Sequence, residues 1–164
     1  MLKKTNLAAI LSFFLFFIFS SHFTNQYPAF SSITPHENKY TDAIQSGERL
    51  EFSINWMGIK AGKAILEVGK PTSIGENKAF HITSTARSND FISRFFPVED
   101  RVETFMDVDR LVPLRFKSHQ REGKRIKDRE VNYDQINHKV SQLEEGKEET
   151  FDIAPGAQDA LSVL

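Results

Sequence analysis

The chain has 164 residues, with 21 basic against 22 acidic side chains, a formal net charge of -1, 15 phenylalanines and no cysteine. Near-neutral charge without a basic cluster argues against a nucleic-acid partner, whose phosphates demand concentrated positive charge. Lack of cysteine excludes a disulfide framework, a thiol nucleophile and the lipid-carrying cysteine of a bacterial lipoprotein, and the length suits one domain stabilised by its own core.

Lys3 and Lys4 precede an apolar run from Leu7 to Phe19 that only Ser12 interrupts. Charge followed by a short apolar core is the order of an export signal. A membrane-crossing helix needs about 20 apolar residues, so residues 1–20 read as a signal helix, with an uncleaved membrane tether as the alternative. Cleavage after Ser20 would lack an A-x-A pattern. It would remove Lys3 and Lys4 and no acid, taking the formal net charge from -1 to -3. Residues 21–46 are polar, contain Pro28 and Pro35 and hold no steady apolar period, which makes them a flexible lead. Residues 47–164 are expected to form a single β domain.

Leu50, Phe52, Ile54 and Trp56 alternate with Glu51, Ser53 and Asn55, the period-two pattern of a strand with one face in the core and one in water. Gly58 and Gly62 are expected to bracket a turn, with Ala64, Leu66 and Val68 on the returning strand. After a loop around Gly75, Phe80 to Ala86 alternates again and is rich in residues that suit a pleated surface. Val102 to Asp107 and Leu114 to His119 form the next expected pair, joined at Arg110 to Pro113. The turn at Glu122 to Lys124 leads into Ile126 to Tyr133, a strand that carries the charged run Lys127 to Glu130. His138 to Leu143 and Glu148 to Ile153 complete eight expected strands. Short turns between them predict an all-β antiparallel meander, closed as a barrel or left as a strongly curved half-barrel. Pro155 and Gly156 end the last strand. Gln158 to Leu164 opens a new apolar segment, read as a helix start with Asp159 near its N-cap, and the abrupt end at Leu164 reads as truncation.

The stretch from Arg87 to Asp107 departs from simple alternation. Phe91, Ile92, Phe95 and Phe96 fall at i, i+1, i+4 and i+5, one side of a short helical turn near residues 89–96. Ser88, Asn89 or Asp90 can cap it and Pro97 stops it. Three readings stand: a plug whose rings are ordinary core, an apolar lid over a cavity for a lipid-like or amphiphilic ligand, or a patch that docks an envelope protein. Arg87, Arg94, Asp100 and Arg101 flank the rings. An ion pair from Asp100 to Arg87 or Arg94 would fix the connection, while a basic group at an apolar mouth would suit an anionic head group. Adjacent strand residues point to opposite faces, so Asp100 and Arg101 cannot both serve one site.

Catalysis has little support. His22, His36, His81, His119 and His138 lack metal-ligand spacing, and no nucleophile-elbow, phosphate-loop or dinucleotide motif is present. His119 with Asp128 or Asp134 could form a base and its orienter, but a partly exposed strand histidine is commoner. No catalytic residue, metal or cofactor is therefore assigned.

The segments GERLEFSINWMGIKAGKAILEV, ARSNDFISRFFPVEDRVETFMD, LVPLRFKSHQREGK and DREVNYD resemble, in order, the exported bacterial proteins grouped as domain-of-unknown-function family 3108. The resemblance implies a β-rich periplasmic or envelope protein of a Gram-negative bacterium, with membrane contact only through the export signal or at the periphery. Members carry a Q-D-x-L-S segment, here Gln158, Asp159, Leu161 and Ser162, and continue into further strands beyond it. No activity comes with the family. The expected function is non-enzymatic binding of an apolar or amphiphilic envelope component at Arg87, Phe91, Ile92, Arg94, Phe95, Phe96, Asp100 and Arg101. The alternatives are a structural or partner-binding module that uses the charged hairpin from Lys117 to Asp134, and an enzyme acting on envelope polymers.

Overall fold

A computed structural model describes residues 44–163. The signal helix expected at 1–20 and most of the lead lie outside the described residues. Among the described residues nine strands follow one another: β1 (Arg49–Trp56), β2 (Ile59–Val68), β3 (Thr72–Ile74), β4 (Asn77–Ser88), β5 (Val98–Asp107), β6 (Pro113–Glu122), β7 (Arg125–Asp134), β8 (Lys139–Glu144) and β9 (Lys147–Asp152). A four-residue helix, α1 (Asp90–Ser93), interrupts the connection from β4 to β5. Among the described residues no helix is long and apolar enough to cross a membrane.

All strands join one antiparallel sheet in the order β1-β2-β4-β5-β6-β7-β8-β9, with β3 paired to β4 beside that path. The meander is as expected. The barrel is not formed, because β1 and β9 each pair with one neighbour and never with each other. Beyond β9 the chain does not extend the sheet; it turns at Pro155 and Gly156 and lays Leu161 against the core. The apolar surface is thus sealed locally by a returning segment, and closure through backbone pairing, which alone removes both edges of a sheet, does not occur.

Register explains which residues meet. Leu50 pairs with Leu66, Leu66 with Ser84, and Ser84 with Val102, so these share one face, while Glu51, Ile65, Thr85 and Arg101 share the other. The first face carries the core cluster of Val68, Phe80, Ile82, Met106 and Leu161. The second is laced with ion pairs, among them Arg49 with Glu67, Arg87 with Glu99, Lys117 with Glu130 and Lys139 with Asp152. These exposed pairs each contribute little to stability.

Three local expectations are corrected. The first hairpin turns at Met57 and Gly58, both at positive φ (49° and 78°), the geometry of a two-residue turn whose twist matches the strands. Strand β2 therefore starts at Ile59, and Gly62 lies inside it, where a Cβ would collide with the Arg87 carbonyl of β4. The short strand β3 is additional. Finally, Gln158 onward forms successive turns instead of a helix. Asp159 still caps them, its Oδ1 accepting from the Leu161 and Ser162 backbone N–H groups at 2.9 Å each. Ile44 packs against the core and Ser46 Oγ donates to the Gly69 carbonyl at 3.0 Å, so the domain begins a few residues before Gly47.

The core is concentrated at one end of the apolar face. There Thr104, fully buried, donates to both Asp159 carboxylate oxygens at 3.0 Å, and Gln135 Nε2 bridges the Pro113 and Ala157 carbonyls at 3.1 Å each. Burial, with the Asp159 carboxylate adding to it, pushes the Tyr133 hydroxyl up to about 12.

Candidate functional site

Residues 88–97 form a capped knob at the end of the sheet away from that core. The Asn89 side chain accepts from the Ile92 N–H at 2.9 Å, so of the three cap candidates Asn89 is the N-cap. Its backbone N–H donates to the Ala61 carbonyl at 2.8 Å, and its amide donates to the Lys60 carbonyl, tying α1 to the start of β2. Helical spacing then divides the four apolar residues into two pairs. Ile92 and Phe96 are half-buried, and the Phe96 ring lies over Gly123 in the turn from β6 to β7. Phe91 and Phe95 point outward, 56% and 73% exposed, with their rings edge-to-face at 5.6 Å. Two of the three rings expected to act as plug or lid thus stand in solvent.

The charged candidates are not brought together. Arg87 pairs with Glu99 at 2.7 Å and Arg101 with Glu103 at 2.9 Å, both on the charged face. Asp100 lies opposite Ala86 and Gln120 on the apolar face. The ion pair expected between Asp100 and Arg87 or Arg94 therefore does not form, because strand alternation aims Arg87 and Asp100 to opposite sides. Arg94 makes no ion pair among the described residues.

Asp100 is unusual in its own right. It is 5% exposed; Oδ1 accepts from the Arg121 backbone N–H at 3.0 Å, and Oδ2 has no partner. Burial raises its carboxyl to about 6, against the lowering effect of that one N–H. A buried carboxylate with an empty oxygen costs stability unless something neutralises it. Around it the apolar face is unevenly finished. Phe52 and Ile54 of β1 are 52% and 38% exposed beside the small residues Gly62, Ala64 and Ala86. Farther across, Glu144 holds Lys127 and Arg129 together. One surface therefore grades from exposed apolar side chains, through a buried acid, to an ion-paired strip. Sequence alternation had assigned Phe52 and Ile54 to the core, and nothing local distinguishes a covered alternating strand from a bare one.

The histidines among the described residues lack a relay. His119 Nδ1 meets Asp128 at 2.6 Å on the exposed charged face. His81 stacks on Phe105 with centroids 4.5 Å apart. Its Nε2 serves both Glu103 at 2.6 Å and Thr83 Oγ1 at 3.5 Å, so the ring does not link a hydroxyl on one nitrogen to a carboxylate on the other, as a nucleophile and base require. Glu103 sits below the usual carboxylate range because Arg101, then His81, bond its charged form against the cost of burial. Among the described residues no cluster of three His, Cys, Asp or Glu could hold a metal. A groove of ≈ 520 Å³ opens on the charged face between Arg101, Lys117, His119, Ile126, Asp128 and Leu143. None of residues 91–96 lines it.

The family model described as "Protein of unknown function (DUF3108)" matches residues 51–164, which include every strand from β2 to β9, the knob and the Asp159 turns. The chain belongs to the DUF3108 family. No curated protein and no solved structure matches it. The match covers the apolar grade, Asp100 and the exposed phenylalanines together, so these belong to the DUF3108 region of the chain.

Proposed function

We propose that this DUF3108 protein is an exported, non-enzymatic envelope protein whose sheet curls into a half-barrel and holds an apolar or amphiphilic molecule on its apolar face. The observation that carries the reading is the exposure of Phe52 and Ile54 on the same face as the core cluster, beside the buried, half-satisfied Asp100. Bare aromatic and aliphatic side chains on a core-facing surface lower their free energy when an apolar chain covers them. The grade toward Asp100 and the Lys127–Glu144–Arg129 strip supplies a polar end for a head group. The half-buried Ile92 and Phe96 of the neighbouring knob are the residues we assign as its gate. The charge-then-apolar start of the chain supports export to the periplasm, with an uncleaved tether as the other form.

Lipid extraction and mass spectrometry of the full chain purified from cell envelopes test the reading. An amphiphile should copurify with the wild type and be lost from Phe52→Asp, which alters a half-exposed position and should leave the thermal transition in place. Equal occupancy in both proteins, or none in either, would overturn it. A second reading, a module that docks a protein partner, draws on the groove between Lys117 and Asp128, whose exposed Ile126 and Leu143 sit amid charged side chains. In-cell crosslinking from Ile126 to one recurrent protein, with Phe52→Asp silent, would favour it.

A further inference from the structure

Three connections come together at the end of the sheet opposite the core. They are the Met57–Gly58 turn, the knob at 88–97, and the turn at Gly123 and Lys124. Asn89 binds the Ala61 and Lys60 carbonyls, Gly123 N–H donates to the Pro97 carbonyl at 2.7 Å, and Phe96 lies over Gly123. The end they form is therefore one tied surface. It projects Met57 at 83% exposure, Ile59 at 52%, Phe91 at 56% and Phe95 at 73%. Interspersed are the exposed cations Lys60, Arg94, Lys124 and Arg125, none of them in an ion pair among the described residues, against the acids Asp90 and Glu122. The contrast with the charged face is sharp, since there nearly every cation named above is matched by a carboxylate.

Projecting apolar side chains ringed by unmatched cations are complementary to one kind of partner, a bilayer surface with anionic head groups. Apolar tips enter the acyl boundary while the cations meet phosphates. The geometry points to this loop end as a membrane-docking surface, separate from the apolar face that would hold a ligand, in which Phe91, Phe95, Met57 and Ile59 insert and Lys60, Arg94, Lys124 and Arg125 bind anionic phospholipid. The edge-to-face pair of Phe91 and Phe95 on a capped turn keeps both rings presented together.

Trp56, the single tryptophan of the chain, precedes Met57 and reports from the docking end itself. It therefore distinguishes docking there from any contact made by residues 1–43. The full chain is titrated with vesicles of mixed phosphatidylglycerol and phosphatidylcholine carrying brominated acyl chains. Trp56 emission should shift to the blue and be quenched, much less so with phosphatidylcholine alone and less at high salt. Phe91→Asp with Phe95→Asp should raise the lipid concentration for half-quenching by at least about tenfold, the scale of losing one buried aromatic. Lys124→Glu with Arg125→Glu should remove the preference for anionic vesicles. Ile136→Asp, at the opposite end and 78% exposed, should change nothing. Trp56 emission indifferent to vesicles, or equally quenched in wild type and the phenylalanine double variant, overturns the inference. Phe52→Asp should leave the vesicle signal intact, so loss of copurified amphiphile and loss of docking separate the two readings.

Discussion

The apolar face of the sheet is finished at one end and bare at the other. At the finished end Leu161 closes over Val68, Phe80, Ile82 and Met106, and Asp159 receives the hydroxyl of a fully buried Thr104. At the bare end Phe52 and Ile54 remain in contact with water, Asp100 keeps an unpartnered oxygen, and Phe91 and Phe95 project from the rim. The difference separates a face covered by the chain's own return from a face that is not covered among the described residues. A segment that returns to its own core satisfies both apolar and polar groups, whereas the other end keeps exposed rings and a half-satisfied acid among the described residues.

Substitutions should separate the two ends, beginning with the largest effect. Met106→Ala, at a position 1% exposed, should cost about 3 kcal/mol in denaturant unfolding, since a cavity would open in the finished core. A loss below about 1 kcal/mol would mean that this end is not the core. At the bare end, Asp100→Asn should move stability the other way. With the folded carboxyl at about 6 and the unfolded one near 3.8, the folded state binds the proton more tightly. Stability from this group is fully present below pH ~4 and declines as pH rises through 6, leaving a cost on the order of 2–3 kcal/mol at neutral pH. The asparagine variant should therefore be more stable than the wild type at pH 7.5 by an amount of that order. Its advantage should vanish near pH 4, and unfolding curves at both values check the sign.

Gly62→Ala should destabilise by about 2 kcal/mol, because a Cβ meets the Arg87 backbone and two central strands must part. Thr104→Val keeps the shape and removes the hydrogen bond to Asp159, so a loss of about 1–2 kcal/mol and faster proteolysis after residue 155 are expected. Phe91→Ser should be the smallest, within about 0.5 kcal/mol by thermal unfolding, because the ring is already exposed. A large loss there would make the knob a structural plug and remove the basis for docking.

Strands were legible wherever alternation ran for five residues or more, because pairing with the next strand along the chain is a local event. Strand β3 was not, since three residues hold too little period, and Gly62 read as a turn because glycine in a strand looks the same as glycine in a loop. A polar cap from among Ser88, Asn89 and Asp90 and the opposite facing of Asp100 and Arg101 were also readable, both being set within a few residues, whereas the helix ends at Ser93, before Pro97 could stop it. The division of the four apolar residues into an inward and an outward pair was not. It depends on Gly123, which approaches Phe96 only after β5 and β6 have paired.

By itself the sequence determined the antiparallel meander, the two-sided character of the strands, the capped turn in the β4–β5 connection and the absence of cysteine chemistry. These follow from side-chain period, backbone preference and composition, which act over a few residues. Only the tertiary structure decided that the sheet stays open, that Leu161 and Asp159 return to seal one end, and that Phe52, Phe91 and Phe95 stay exposed at the other. Whether an apolar residue is covered depends on which distant segment reaches it, and no local pattern carries that information.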